Sequence, residues 1–193
     1  MFYKHPLPQV SVSMIWHLRR LNIILSMILI QTVLGVVPMD LLAIIRVLVS
    51  KRHFTVAEYN AALTRLGFSS YEAGDKPCPV PASRSSKVTK LSGKAVTHWV
   101  HIRNFPLVIR GLVVDPGDAV LSLGLLLHEI IERITAQEFF PYEIDLLERK
   151  IQDYLEMRKV LRADHPNLVP SAKPKHHFMK KDTFETETIL LKF

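Results

Sequence analysis

Apolar residues repeat along this chain at the period of an α-helix. Between Pro38 and Ser50 they recur every three or four residues, at Leu41, Leu42, Ile45, Leu48 and Val49. Pro38 suits the first turn of this helix. A second helix is predicted behind Thr55, whose spacing to Glu58 is that of a capping box, and it ends at Gly67. The pattern therefore predicts a helical hairpin over residues 38–67.

A third helix is predicted after residue 90. Its apolar face would consist of Ala95, Trp99, Ile102, Phe105 and Ile109. Ser92 is the expected cap, and Pro106 is expected to kink or restart the helix, because proline lacks an amide hydrogen. Two further amphipathic helices are predicted, one from Asp118 to Thr135 with Asp118 as its cap, and one from Tyr142 to Ala163.

No segment alternates apolar and polar residues over a convincing length, so the predicted fold class is all-α: a helical assembly with a long loop rich in Pro and Ser and no sheet. The predicted divisions are an amino-terminal apolar helix of uncertain status (1–37), the helical hairpin (38–67), a linker (68–89), a helical core region (90–163) and a poorly ordered tail (164–193). His176 is expected at the surface of that tail, within a basic cluster.

The amino-terminal apolar run leaves two interpretations open. Residues 21–39 contain no charged side chain, which is about the minimum length for crossing a bilayer, and Arg19 and Arg20 precede them. Against a membrane span, polar residues interrupt the run, and Gly35 and Pro38 fall in its last turn. The run is therefore either a single membrane anchor or a helix buried against the rest of the chain.

The formal net charge of +7 is concentrated in one part of the chain. From Lys76 to Val114 there are seven Lys or Arg residues and no Asp or Glu, whereas the basic and acidic residues of the two flanks cancel. Such a surface attracts polyanions. With one cysteine, Cys78, the chain cannot form an internal disulfide and fits a reducing compartment.

The basic segment gives the candidate site. Nucleic-acid phosphates would be contacted by five of its cations, Lys87, Lys90, Lys94, Arg103 and Arg110. Trp99 and His101 are interleaved with them and are expected to allow occasional stacking on bases. Solubility alone explains the same charges, so binding and a merely solvated surface both remain open.

Signals for catalysis are weaker. His98 with His101, and His128 with Glu132, have spacings found in metal sites, and Glu129, Glu132 and Glu138 could form a carboxylate set for Mg²⁺. However, no HExxH motif, activated nucleophile or Gly-rich phosphate loop is present. The sequence therefore predicts no catalytic residue, no bound metal and no cofactor.

Several blocks of the chain, taken in order, resemble the CACTA (EnSpm-like) transposases and related transposon-derived proteins. The blocks are GVVPMDLLAIIRVLVSKRHFTVAEYN at 35–60, DKPCPVP at 75–81, KLSGKAVTHWVHIRNFPLVI at 90–109, the helices of 118–162 and KPKHHF at 173–178. The resemblance implies a nuclear enzyme with an RNase-H-like core that uses acidic residues and Mg²⁺ for strand transfer.

This chain departs from that family at both ends. After KPKHHF the family continues into a further helical region, whereas this chain continues into Lys180, Lys181 and Asp182. Where the family has an Asp-x-x-His-Asp-type motif, the corresponding residues are Met27, Ile30 and Gln31, none of which binds a metal through a carboxylate or imidazole. We therefore expect a truncated, transposase-derived protein that is not an enzyme, that binds nucleic acid non-specifically at most, and that is nuclear or cytoplasmic. The alternative is a single-pass membrane protein anchored by residues 21–39. The oligomeric state stays open.

Overall fold

A computed structural model describes residues 35–68, 73–82, 88–136 and 141–174, together with His176 and Met179. It contains five α-helices and one 3-10 turn, Ala73–Asp75. The helices are α1 (Val37–Ser50), α2 (Val56–Arg65), α3 (Ala95–Ile109), α4 (Ala119–Ile134) and α5 (Pro141–Asp164). Within these ranges no strand is formed, and the predicted all-α fold is confirmed.

Helix α1 is buried along most of its length. Every residue from Val37 to Ile45 is buried, which is expected for a helix that is apolar around most of its circumference. Helix α4 packs against α1, α3 and α5, and α2 packs against α3. Gly124 allows the close approach of α4, because a Cβ atom there would lie 2.6 Å from Phe105 Cε1 and 3.3 Å from Ile44 Cγ2.

Two of the three predicted helix caps are present, those at Thr55 and Asp118. Glu58 N donates to Thr55 Oγ1 at 3.2 Å, and Thr55 N donates to Glu58 Oε2 at 2.7 Å, which completes the capping box of α2. Asp118 Oδ1 accepts from Val120 N at 2.7 Å, while Oδ2 binds Lys51 Nζ at 2.6 Å and therefore ties the end of α1 to the start of α4. Burial would raise the pKa of Asp118, but hydrogen bonds from Lys51 and Val120 outweigh it and lower the pKa to about 2.

Helix α3 corrects the expected cap and one of the two outcomes expected at Pro106, a restart of the helix. It begins at Ala95 after Lys94, not after Ser92, and it continues through Pro106 without restarting. Pro106 has no amide hydrogen to donate to the Ile102 carbonyl one turn earlier. His128 Nδ1 lies 3.1 Å from that oxygen, and because a carbonyl only accepts, Nδ1 carries the hydrogen. A neighbouring helix thus replaces the bond that proline removes.

We expect His128→Phe to lower the free energy of unfolding by about 1–3 kcal/mol, because the Ile102 carbonyl loses its donor. Adding Pro106→Ala should recover part of that loss, since alanine supplies an amide hydrogen at the same place. Urea unfolding of both single variants and the double variant measures the coupling. Equal losses from His128→Phe in the proline and alanine backgrounds would contradict the replacement.

Parts of the predicted linker and tail pack into the same core as the helices. Val80 is 2% exposed, and its amide and carbonyl both bond to the Asn60 side chain, at 2.8 and 2.9 Å. In the predicted tail, Val169, His176 and Met179 are each 1% exposed, so the described part of this segment is anchored and the expected surface position of His176 is wrong. Residues 180–193 lie outside the described ranges.

The predicted membrane run lies mostly outside the described residues, which begin at Gly35. Its last residues enter α1 and are buried there. Among the helices that the structure describes, none combines the length and the apolar composition needed to cross a bilayer.

Candidate nucleic-acid interface

The predicted phosphate-binding cations follow the length of α3. Lys90 and Lys94 precede the helix, Arg103 lies in its second half, and Arg110 directly follows its end; all four are exposed. Lys87 lies outside the described residues. A helix of 15 residues is about 22 Å long at a rise of about 1.5 Å per residue. These side chains are therefore spread along an extended surface and are not gathered at one point.

The start of α3 adds partial positive charge to this surface. Lys94 is its N-cap, no side chain caps the helix, and its first turn carries no acidic residue. The first amide groups of a helix concentrate the positive end of its dipole. A cleft of about 580 Å³ lies beside them, lined by residues that include Lys90, Ser92, Gly93 and His98. Anions are therefore favoured at this end of α3.

Arg103 contacts two other side chains, although its position on the helix predicts a side chain free for solvent or phosphate. Its Nε lies 3.4 Å from Glu132 Oε1 on α4, and its guanidinium carbon lies 5.0 Å from the centre of the Trp99 ring. Even so, 53% of the Arg103 side chain remains exposed. None of the ion pairs among the described residues includes Lys90, Lys94 or Arg110.

The prediction that His101 stacks on bases is wrong, because this side chain does not face solvent. It is 1% exposed, and its Nε2 lies 3.0 Å from the hydroxyl of the fully buried Tyr59 on α2. Burial lowers the pKa of His101 to about 3, with a smaller contribution from the nearby charge of His98. His101 is neutral at pH 7 and joins α2 to α3; it does not stack on bases.

The candidate metal ligands are committed to other contacts. Glu129 Oε2 binds Lys150 Nζ, Glu132 faces Arg103, and His128 donates to the Ile102 carbonyl. Glu138 lies outside the described residues. Within the part of the chain that the structure describes, no group of three or more His, Cys, Asp or Glu side chains could hold a metal ion.

A buried polar cluster was not predicted from the sequence. Asp40, in the first turn of α1, is 3% exposed. Its Oδ2 accepts from Arg158 Nε at 2.7 Å, from His176 Nε2 at 3.0 Å and from the Tyr154 hydroxyl, and its Oδ1 accepts from Arg158 Nη2 at 3.0 Å. The cluster therefore joins α1, α5 and the carboxyl-terminal segment.

The protonation states in the cluster follow from its contacts. Burial alone would raise the pKa of Asp40, but the bonds from His176 and Arg158 outweigh it, so the carboxyl stays ionised. The backbone amide of Lys173 donates to His176 Nδ1 at 3.0 Å, which places the histidine hydrogen on Nε2, facing Asp40. Burial and the Asp40 charge raise the pKa of Tyr154 well above its usual value. The cluster therefore links three parts of the fold, and the negative charge of Asp40 is balanced by the positive charge of Arg158.

Comparison with known proteins adds no family: no family model, curated protein or solved structure matches the chain. The resemblance to CACTA transposases therefore stays a prediction from its sequence blocks.

Proposed function

We propose that this is a transposase-derived helical protein without strand-transfer activity that binds nucleic acid non-specifically, through Lys87, Lys90, Lys94, Arg103 and Arg110. One observation carries the proposal: seven basic residues and no acidic residue occur between Lys76 and Val114. The cations of this segment that lie in the described ranges, Lys76, Lys90, Lys94, Arg103 and Arg110, are all exposed.

Phosphate contact is the chemistry that this surface supports. Each lysine or arginine that neutralises a phosphate releases condensed counterions, and this release drives binding without regard to base sequence. Lys90 and Lys94 act beside the uncapped amino end of α3, where amide groups favour the same anion. Arg110 extends the contact to the other end of the helix.

The proposal predicts a steep dependence of binding on salt. With about five phosphates neutralised, the logarithm of the association constant for duplex DNA should fall with the logarithm of salt concentration at a slope of about −4.5. Fluorescence anisotropy of a labelled duplex, titrated with the full chain at several salt concentrations, measures this slope. Replacing all five proposed cations by glutamine should abolish binding at low salt.

The matched control removes the same charge from exposed positions elsewhere. Its five glutamine substitutions are at Arg52, Arg65, Arg149, Lys159 and Lys173. This variant should keep most of the affinity, because its changes lie outside the basic segment. Equal losses in the two variants would show that only net charge matters, and absence of binding at low salt would refute the function. Mg²⁺-dependent nicking of supercoiled DNA would contradict the absence of catalysis.

A further inference from the structure

One exposed cation of the basic segment already has an anionic partner within the protein. Arg103 Nε on α3 lies 3.4 Å from Glu132 Oε1 on α4. Among the ion pairs of the described residues, no other pair includes a cation from the segment between Lys76 and Val114. The basic segment itself contains no acidic residue, so this carboxylate reaches its surface from a neighbouring helix.

Two contacts hold the Arg103 side chain against the protein. Its guanidinium carbon lies 5.0 Å from the centre of the Trp99 ring, one turn earlier on α3, and Glu132 approaches from α4. Both partners of the ion pair still reach solvent, since 53% of the Arg103 side chain and 36% of the Glu132 side chain are exposed. An ion pair at such exposure is weak, so a phosphate can displace the carboxylate.

The pair is a charge contact and not a directed hydrogen bond. Glu132 Oε1 has no hydrogen-bond partner in the described part of the chain. Its distance of 3.4 Å from Arg103 Nε exceeds the usual length of a charge-assisted N–H···O bond, which is about 2.8 Å. Phosphate oxygens accept such bonds from arginine, often two at once. The guanidinium therefore gains stronger contacts when it leaves Glu132 for a phosphate.

A phosphate and Glu132 cannot share Arg103 without a cost. Both groups are anions, and on one guanidinium they lie only a few ångströms apart, where like charges repel each other even at an exposed surface. Lys90, Lys94 and Arg110 belong to none of the described ion pairs, so a phosphate that binds them does not displace a carboxylate from such a pair. Within the described surface, the cost of displacement falls on Arg103.

We propose that Glu132 is an intramolecular competitor for Arg103 and lowers the affinity of the basic surface for nucleic acid. In the free protein Glu132 neutralises Arg103, and a phosphate takes its place on binding. The inference rests on the proposed function and deepens it, because it names a residue outside the basic segment that sets how tightly the surface binds. Glu132 is a positioning residue, since it acts through Arg103.

The experiment is a double-mutant cycle on the binding of the full chain to a labelled duplex, measured by anisotropy at fixed low salt. We expect Glu132→Gln to raise the affinity about fourfold, because Arg103 no longer has to leave a carboxylate. Arg103→Gln should reduce the steepness of the salt dependence by about 0.9, the contribution of one phosphate. In the Arg103→Gln background, Glu132→Gln should lose most of its effect.

The matched control removes the same charge from the same helix. Glu129→Gln lies three residues before Glu132, and its side chain is 53% exposed and pairs with Lys150, outside the basic segment. This control should change the affinity by less than about twofold, because it releases no cation of the proposed surface. Circular dichroism checks that every variant keeps its helices.

Several results would overturn the competition. An unchanged or lower affinity of Glu132→Gln would show that the carboxylate does not compete with phosphate. An equal rise in Glu129→Gln, or a full rise in the Arg103→Gln background, would show that net charge alone acts. In each of these cases salt-dependent binding of the unmodified chain still supports the proposed function, whereas absence of binding at low salt refutes that function itself.

Discussion

Replacing Asp40 by alanine is expected to lower the free energy of unfolding by about 3–5 kcal/mol. The substitution leaves the Arg158 guanidinium, 3% exposed, without the carboxylate that accepts two of its hydrogen bonds. It also removes the acceptor of the His176 and Tyr154 hydrogens. An unpaired buried cation is far more costly than a lost surface contact. Urea unfolding monitored by circular dichroism measures the change.

The control for Asp40 is an ion pair on the same helix as Arg158. Lys159 and Glu156 lie 3.7 Å apart with 79% and 73% of their side chains exposed, so Glu156→Ala should change stability by less than about 0.5 kcal/mol. Combining Asp40→Ala with Arg158→Met should cost less than the sum of the two single changes, because the second removes the stranded charge. A loss below about 1 kcal/mol for Asp40→Ala would refute a structural role for the cluster.

The helices were predictable because their signals are local. Periodicity places each of them within a few residues, and Thr55 and Asp118 supply caps that depend only on residues two or three positions away. The continuity of α3 was not predictable, because the bond that compensates for Pro106 comes from His128 on another helix. The sequence around Pro106 contains no sign of that donor.

The buried cluster was missed for the same reason. Asp40 and His176 are 136 positions apart in the sequence. An acidic residue in the first turn of a helix is ordinarily expected to face solvent and to interact with the helix dipole. One signal was available: Tyr154 and Arg158 are four residues apart on α5, next to apolar positions that face the core. Two polar groups at that spacing on a buried face require a partner, although the sequence does not identify it.

The candidate interface was predictable as far as it depends on composition. Lysine and arginine side chains seldom lie fully buried, so an acid-free segment rich in them indicates a basic surface in almost any fold. The roles of single residues depend on packing between helices. His101 turns inward to Tyr59, and Arg103 meets Glu132 from α4; neither contact follows from the order of residues in the basic segment.

Acid should destabilise the protein through His101. Because burial lowers its pKa from 6.5 to about 3, the unfolded chain binds a proton below pH 6.5 that the folded protein does not. The contribution of neutral His101 to the free energy of unfolding is therefore fully present above pH 6.5 and is lost as the pH decreases toward 3. Between pH 7 and pH 5 the loss from this residue should be about 2 kcal/mol, measured as the free energy of urea unfolding at each pH.

Variants separate the titration of His101 from its packing. Tyr59→Phe keeps the buried histidine and should keep the slope, although it removes the hydrogen bond of 3.0 Å. The double variant Tyr59→Phe with His101→Phe has no group to protonate there and leaves no hydroxyl without a partner, so most of the slope between pH 6.5 and 5 should vanish. A smaller slope should persist from His98, whose pKa burial also lowers. An undiminished slope in the double variant would show that acid acts elsewhere, because only the removal of His101 distinguishes it from the single variant.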